Sequence, residues 1–350
     1  MNLEDVAKKA GVGTATVSRV LNGHPAVKSS TRARVLRAVE ELKYKPNLHA
    51  RSLAGGRSRV LGIVMANLYN PFFADIYHSI ETHARQCGYE ALLANSSHDV
   101  KLLKAAVHRL LGQQVAGLGV FPEMEPAIVD ELREAQIPVV LFDPGATGDN
   151  FTTIDFDHRK GIRMLVDLLH AMGHRRMAYI GAPLFLQPTE ARRQEFMETA
   201  ARYGSESLAV TPPEDGFAGG RAAARELLRS GFAPTAILCV NDWVAVGVIR
   251  ELRNQGLAVP GDVSVTGFDN ITISEFCCPS LTTIHIPRTE IGRLVVAGLV
   301  PDAAGAPPAP RHVFLEPELV VRESTGIAAA TNGRQIEPAS AGVQQPGSGN

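Results

Sequence analysis

The first repeating pattern in the chain has the period of an α-helix. Leu3, Val6, Ala7 and Ala10 recur at i, i+3, i+4 and i+7, which places them on one helix face. Asn2 stands where a helix cap belongs, and Glu4 and Asp5 fall in the first turn, where negative charge suits the helix dipole. Gly11 follows the last periodic residue, where a left-handed backbone ends a helix. Beyond the turn Gly11-Val12-Gly13, the residues Val17, Val20 and Leu21 are spaced to pack inward. Thr14, Ala15, Ser18, Arg19 and Asn22 are left outside. A third helix is predicted from Thr31 to Lys43, packing through Val35, Val39 and Leu42, with Ser29 or Ser30 as its cap.

A Gly-x-Gly before a helix also raises a dinucleotide-binding loop. That loop needs a third glycine at position 16, where Thr16 stands, and a hydrophobic strand before the glycines. A helix pattern occupies that place instead. The glycines therefore read as the turn of a helix–turn–helix. Its outer face is short and polar with one long cation, Arg19, and fits a DNA major groove where arginine grips guanine.

The rhythm breaks after Tyr44. Pro46 opens a short predicted helix, Asn47 to Ala54, and Gly55-Gly56 closes it. Eight residues are too few to hold a helix alone in water, so this segment is expected to fold on docking, with DNA as the surface.

From Val60 short apolar runs alternate with amphipathic ones. VLGIVMA, YEALLANS, AGLGVF and PVVLF read as strands, with helices beginning near Pro71, Asp99 and Glu125. A second series follows: RMAYIGA, SLAV, AILCV and VSVTGF, with helices beginning near Asp157, Thr189, Ala218 and Asn241. Two consecutive series imply two doubly wound parallel sheets. Ligands bind such sheets at the carboxyl ends of strands, so the cleft between the lobes is the natural site.

Charge sharpens this division. Residues 1–60 hold 12 Lys and Arg against 4 Asp and Glu, whereas the whole chain has a net charge of −1. A small basic head on an acidic body points to a polyanion-binding module joined to something else. No stretch of about 18 apolar residues suggests a membrane span, and the start lacks a secretory pattern, so a cytoplasmic protein is expected. The four cysteines form no metal or disulfide-scaffold spacing, and the adjacent Cys277 and Cys278 read as loop thiols. No G-x-S-x-G, H-E-x-x-H or G-x-x-x-x-G-K-[ST] occurs, so no catalytic residue, metal or cofactor is expected.

LEDVAKKAGVGTATVSRVLNG followed by YKPNLHARSLAGGRS resembles the head and hinge of the lac repressor (LacI/GalR) family of bacterial transcription regulators. NPFFADI, GHRRMAYIG, CVNDWVAVGVIRELRNQGLAVPGDVSVTGFDN and PSLTTIHIP extend the resemblance over most of the chain. It implies an all-α helix–turn–helix head and an α/β core like that of periplasmic binding proteins. It also implies that Thr14 and Ala15 vary with operator sequence and that Thr16, Ser18 and Asn22 contact phosphates or nearby bases. Arg19 would read a base edge. Asn47 and Ala50 would belong to the hinge, and Leu53 would wedge into the minor groove, where an apolar side chain can kink a duplex.

The family's ligand positions map onto Phe73, Asp155, Arg192, Asn241 and Asp269, and Phe72 joins them as a second aromatic just past the first strand. Carboxylates, amides and an arginine fork suit vicinal hydroxyls, and an aromatic covers an apolar sugar face. Two departures bear on the ligand: Pro183–Arg193 is more apolar than its usual counterpart, and Phe156 stands where the family often has Asn. His174, in Gly173-His174-Arg175, is expected to cap a helix end.

The expected organisation is a DNA-binding domain at 1–45, a hinge at 46–58, a first lobe at 59–156 with 286–309, and a second at 157–285 with 310–326. A disordered tail at 327–350 completes it. Three crossovers would link the lobes, near Ile154–Asp157, Thr283–Pro287 and Ala309–Val313. The expected function is that of a homodimeric repressor on a near-palindromic operator, controlled by a sugar or sugar derivative. Activation, or repression requiring a corepressor, stays open within the family. A sugar-binding receptor or an enzyme is the distant alternative.

Overall fold

The sequence pattern at Asn2 becomes a closed capping box. The Asn2 side chain accepts from the Asp5 N–H at 3.0 Å, and the Asp5 carboxylate accepts from the Asn2 N–H at 2.8 Å. Such a cap stabilises a short helix by about 1 kcal/mol. It opens α1 (Leu3–Ala10), which Gly11 ends at φ 63°. Helices α2 (Thr14–Leu21) and α3 (Ser29–Glu41) follow. Val6, Ala7, Ala10, Val17, Val20, Val35 and Ala38 form their common core. The third helix starts earlier than expected. Ser29 and Ser30 lie inside its first turn, and the cap position is Lys28, whose side chain makes no capping bond.

The structure is a computed structural model that describes residues 2–21, 25–44, 58–121, 125–144, 151–183, 187–302 and 305–328. It divides into two units, Met1–Ser58 and Arg59–Asn350. Asn22, Asn47, Ala50 and Leu53 lie outside the described residues, as do the predicted hinge helix and the tail beyond residue 328.

The second unit contains two lobes. One is a six-stranded parallel sheet in the order β11-β5-β4-β3-β1-β2. Its strands are β1 (Val60–Met65), β2 (Glu90–Asn95), β3 (Gly117–Val120), β4 (Val139–Phe142), β5 (Thr152–Phe156) and β11 (His312–Leu315). The helices between its strands are α4 (Pro71–Gln86), α5 (Val100–Gly112) and α6 (Pro126–Glu134). Asn70 and Asp99 cap the first two through the N–H groups of Phe72 and Leu102.

The other lobe has β6 (Arg176–Ile180), β7 (Glu206–Val210), β8 (Ala236–Cys239) and β9 (Ser264–Thr266), parallel in the order β7-β6-β8-β9. Around it lie α7 (His158–Ala171), α8 (Gln187–Arg202), α9 (Gly216–Arg229), α10 (Asp242–Asn254) and the single turn α11 (Ile273–Phe276). Two glycines set the spacing of α9 and α10. A Cβ on Gly220 would lie 2.2 Å from the Val244 carbonyl, and one on Gly247 would lie 2.2 Å from the Phe217 carbonyl. Backbone thus rests on backbone. Salt bridges tie the outside, with buried Glu251 holding Arg221 and Arg225, and buried Glu195 holding Arg159, Arg163 and Arg202.

The chain crosses between lobes three times. It passes from β5 into α7, and from β10 (Thr283–His285) into α12 (Arg288–Leu299), which packs on α4. The third crossing lies elsewhere than expected. Residues His312–Leu315 pair in parallel with Thr153–Phe156, so β11 completes the first lobe's sheet. The chain then crosses at Glu316-Pro317 to β12 (Glu318–Val320), which pairs antiparallel with β10. Residues 310–315 therefore belong to the first lobe rather than the second. Backbone hydrogen bonding to β5 decides this, and the Pro-rich run before it hid the strand. His174 closes the end of α7 as expected, its N–H donating to the Leu169 carbonyl at 3.0 Å, and its ring in addition bonds Thr235 Oγ1 at 2.9 Å and the Gly326 carbonyl at 3.0 Å, tying the chain's later segment to the second lobe.

Candidate functional site

In the first unit, α2 presents a slim face. Thr14, Ala15 and Arg19 are exposed, Thr16 and Ser18 are half-buried, and Val17 and Val20 point into the core. The alternation follows from the helical period, and the core valines fix which way the face looks. The Gly13 carbonyl accepts from both Thr16 and Val17, so the turn is wound directly into the helix. Of the expected DNA-contacting residues, these five share one exposed helix.

In the second unit a cavity of about 160 Å³ opens where the carboxyl ends of both sheets meet. Phe72, Phe73, Arg192, Asn241 and Asp269, expected from sequence, all line it. Asp155 does not. Side chains alternate along a strand, and Asp155 lies on the Thr153 side of β5, where both contact His312, at 3.3 and 2.7 Å. His158, three residues on, lines the cavity instead.

One wall is aromatic. Phe72 meets Phe73 edge-on at 5.2 Å, and Phe142 lies 5.4 Å from Phe121 and 6.4 Å from Phe72. The rest of the lining is largely polar. Asp143, Asp215 and Asp269 share it with Arg192, Asn241, His98 and His158. Helix starts deliver three of the polar lining groups: Asp215 caps α9, Asn241 caps α10 through the Val244 N–H at 2.8 Å, and His158 is the first residue of α7.

Asp269 sits at φ 106°, a backbone region that costs a non-glycine residue about 1–3 kcal/mol and often marks a working site. Its N–H donates to the Ile284 carbonyl at 2.8 Å, which holds the strained turn. Burial pushes its carboxyl up to about 8, with Arg192, 3.7 Å away, pulling the other way. Arg192 is itself held on three sides: Nη1 donates to the Val240 carbonyl at 2.5 Å, Nε donates to His158 Nδ1 at 3.2 Å, and the guanidinium carbon lies 3.8 Å from the centre of the Phe268 ring.

Asp242 has no place in the cavity lining. It is buried beneath it, accepting from Ser274 Oγ at 2.6 Å, Thr283 Oγ1 at 2.5 Å and the Ile271 N–H at 2.8 Å. Burial raises its carboxyl to about 6. Cys277 is half-buried with its thiol donating to the Pro279 carbonyl at 3.1 Å, while Cys278 is exposed. Sequence reasoning missed Asp143, His158 and Asp215. Each had a signal: Asp143 directly follows a strand, and the other two stand at helix starts.

A slim helix–turn–helix head and a two-lobed α/β receptor with a polar–aromatic cleft define a DNA-binding regulator carrying its own sensor domain. Residues 2–47 match the family of bacterial regulatory proteins, lacI family, and residues 166–325 match the periplasmic binding protein-like domain. The HTH-type transcriptional repressor CytR of Escherichia coli (strain K12) is 32% identical over 330 residues, spanning 92% of this chain and 96% of that protein. The lac repressor dimer bound to operator and the anti-inducer ONPF superposes with a TM-score of 0.82 at 30% identity, covering 93% of this chain and 99% of that one. A transcriptional regulator CelR–cellobiose complex gives 0.67 at 30% identity with the same coverage. The chain belongs to the lacI family of bacterial regulatory proteins. It is a helix–turn–helix transcription regulator and not an enzyme. Among the described residues no helix is long and apolar enough to cross a membrane.

Proposed function

We propose that this regulator is a cytoplasmic repressor that works as a homodimer on a near-palindromic operator and changes its grip when a neutral sugar or sugar derivative enters the cleft. Two-fold symmetry of the protein would impose two-fold symmetry on the DNA. Thr14, Ala15, Thr16, Ser18 and Arg19 would meet each half-site, joined by Asn22. Asn47, Ala50 and Leu53 would meet its centre.

One observation carries the ligand class: the cleft's one lining arginine is already engaged by the Val240 carbonyl, His158 and Asp269, and the acidic side chains of Asp143 and Asp215 line the same cavity. Carboxylates accept from hydroxyls and repel a phosphate, so the cleft suits a neutral polyol. Phe72, Phe73, Phe121 and Phe142 would cover the ligand's apolar face. The cellobiose bound to CelR is of this uncharged kind. A ligand acts only as far as it prefers one arrangement of the lobes, which then alters whether paired hinge segments fold together on DNA.

The test has two parts. Selection from a random duplex library at fixed salt should enrich a palindrome. A melting-temperature screen of neutral pentoses, hexoses and glycosides against their phosphates should show stabilisation by the neutral set alone. Enrichment of no sequence, or preference for a phosphorylated sugar, would overturn the corresponding half of the proposal.

A further inference from the structure

Four side chains run in line across the cleft floor, from the first lobe to the second. Asp143 follows β4 and is fixed by its own backbone: its N–H donates to the Ile154 carbonyl at 2.9 Å, and Oδ1 accepts from the Phe156 N–H at 3.0 Å. Oδ2 lies 2.8 Å from His158 Nε2. On the other side of that ring, Arg192 Nε lies 3.2 Å from Nδ1. Arg192 then reaches the Val240 carbonyl and Asp269.

The chemistry of this line fixes a proton. A guanidinium Nε always carries hydrogen and never accepts. Nδ1 of His158 must therefore offer its lone pair, which leaves the single proton of a neutral ring on Nε2, donating to Asp143. A doubly protonated ring would set N–H against N–H and break the contact with Arg192. Every other group facing the ring is compatible with this state. Asp157 lies next to it on its own helix, Asp155 is in β5, Asp269 is beyond Arg192, and the rings of Phe156 and Phe268 lie 5.2 and 5.9 Å away. Burial lowers the pKa of the imidazole, Asp143 opposes that shift, and Arg192 adds to it.

We propose that His158 is a positioning residue of the effector cleft: as the neutral Nε2–H tautomer it links Asp143 of one lobe to Arg192 of the other and so aims the Arg192 fork. This rests on the reading of the cleft as the effector site, since an aimed fork matters only if something binds there. It makes the lobe contact and the ligand contact parts of one chain. Loss of the Nδ1 acceptor removes the ring's hold on Arg192.

Imidazole nitrogen NMR on the full-length, ¹⁵N-labelled protein decides it without any ligand. The His158 signals are assigned by their loss in His158→Gln, and the Arg192 Nε–H by its loss in Arg192→Lys. The expected spectrum shows unprotonated Nδ1 and protonated Nε2, unchanged from pH 8 to pH 6. His158→Asn keeps an acceptor near the Nδ1 position and should leave the Arg192 Nε–H protected from exchange. His158→Gln, which retains only the donor toward Asp143, should speed that exchange tenfold or more. An Nδ1–H tautomer, a doubly protonated ring at pH 7, or equal Arg192 protection in both variants would overturn the proposal. The wild-type spectrum alone tests the tautomer if a variant fails to fold. A melting screen with D-ribose and D-galactose tests the effector reading separately, because a failure there leaves the spectrum untouched.

Discussion

The guanidinium of Arg192 lies over the ring of Phe268, its carbon 3.8 Å from the ring centre, with both residues buried. A planar fork can stack and bond at the same time, which an ammonium cannot. Arg192→Lys should therefore lose most sugar affinity, by about 2–3 kcal/mol on the scale of a charged hydrogen-bonding group. Operator selection by the head should be unchanged. Titration calorimetry with a sugar found by screening, beside a duplex-binding assay, separates the two effects.

Asp269 gives the receptor a dependence on pH whose sign is fixed. Its carboxyl is raised from about 4 in the unfolded chain to about 8 in the fold. Between those values the native state holds a proton that the unfolded state has lost. Stability is thus greatest below pH 4 on this account and falls as pH rises toward 8, by about 1.4 kcal/mol per pH unit from this group. Asp242, raised to about 6, adds the same sign over the lower part of that range. Asp269→Asn should flatten the curve between pH 6 and 8 and leave only the Asp242 slope, about half the original, between pH 4 and 6. Denaturant midpoints at pH 5.5, 7 and 8.5 measure it, and parallel curves for the two proteins would refute the assignment.

Arg19 is exposed on the outer face of α2, away from the valine core. Arg19→Ala should relax base preference and weaken operator binding by about 1–3 kcal/mol, with no loss of thermal stability. Repeating the library selection with the variant shows whether one position of each half-site loses its preference.

Gly220→Ala should be costly for a purely steric reason. The new methyl would lie 2.2 Å from the Val244 carbonyl, which is backbone and cannot swing away. Separating α9 from α10 at this point should cost about 1–3 kcal/mol or more. Urea unfolding of the variant reads this directly. The same change at Gly231, where no heavy atom lies within 4 Å of the added Cβ, serves as a comparison for the backbone strain of a left-handed glycine alone.

Much of the receptor was legible because its helices announce themselves. Asn70, Asp99, Asp157 and Asn241 each cap a helix that starts where the sequence says it should, since an Asx side chain binding backbone two or three residues on is a local event. Phe73, Arg192, Asn241 and Asp269 were legible as residues placed just past strand ends or within a helix beside them. Asp155 was misleading because its distance along the chain was right but its side of the strand was not. A shift of one residue turns a strand's side chains to the other face, and no periodic partner flanks a five-residue strand to settle it. The strand His312–Leu315 was hidden for a related reason: its place depends on pairing with a segment some 160 residues earlier, which no local pattern records. Ser29 and Ser30 looked like caps and became helix, because the inward spacing of Val35, Val39 and Leu42 does not fix where a first turn begins.

The close seating of α9 on α10 has a mechanical meaning for the sensor. With glycine backbones in contact, neither helix can slide or rotate without the other, so Asp215 and Asn241 at their starts travel as one plate. Trp243, the single tryptophan of the chain, is wedged at the edge of that plate, where a Cβ on Gly216 would lie 2.5 Å from its ring. The protein thus carries a natural optical gauge beside its cleft. Any movement of the plate against the opposite lobe alters the surroundings of one indole, and a dye-free fluorescence signal could report ligand arrival in real time.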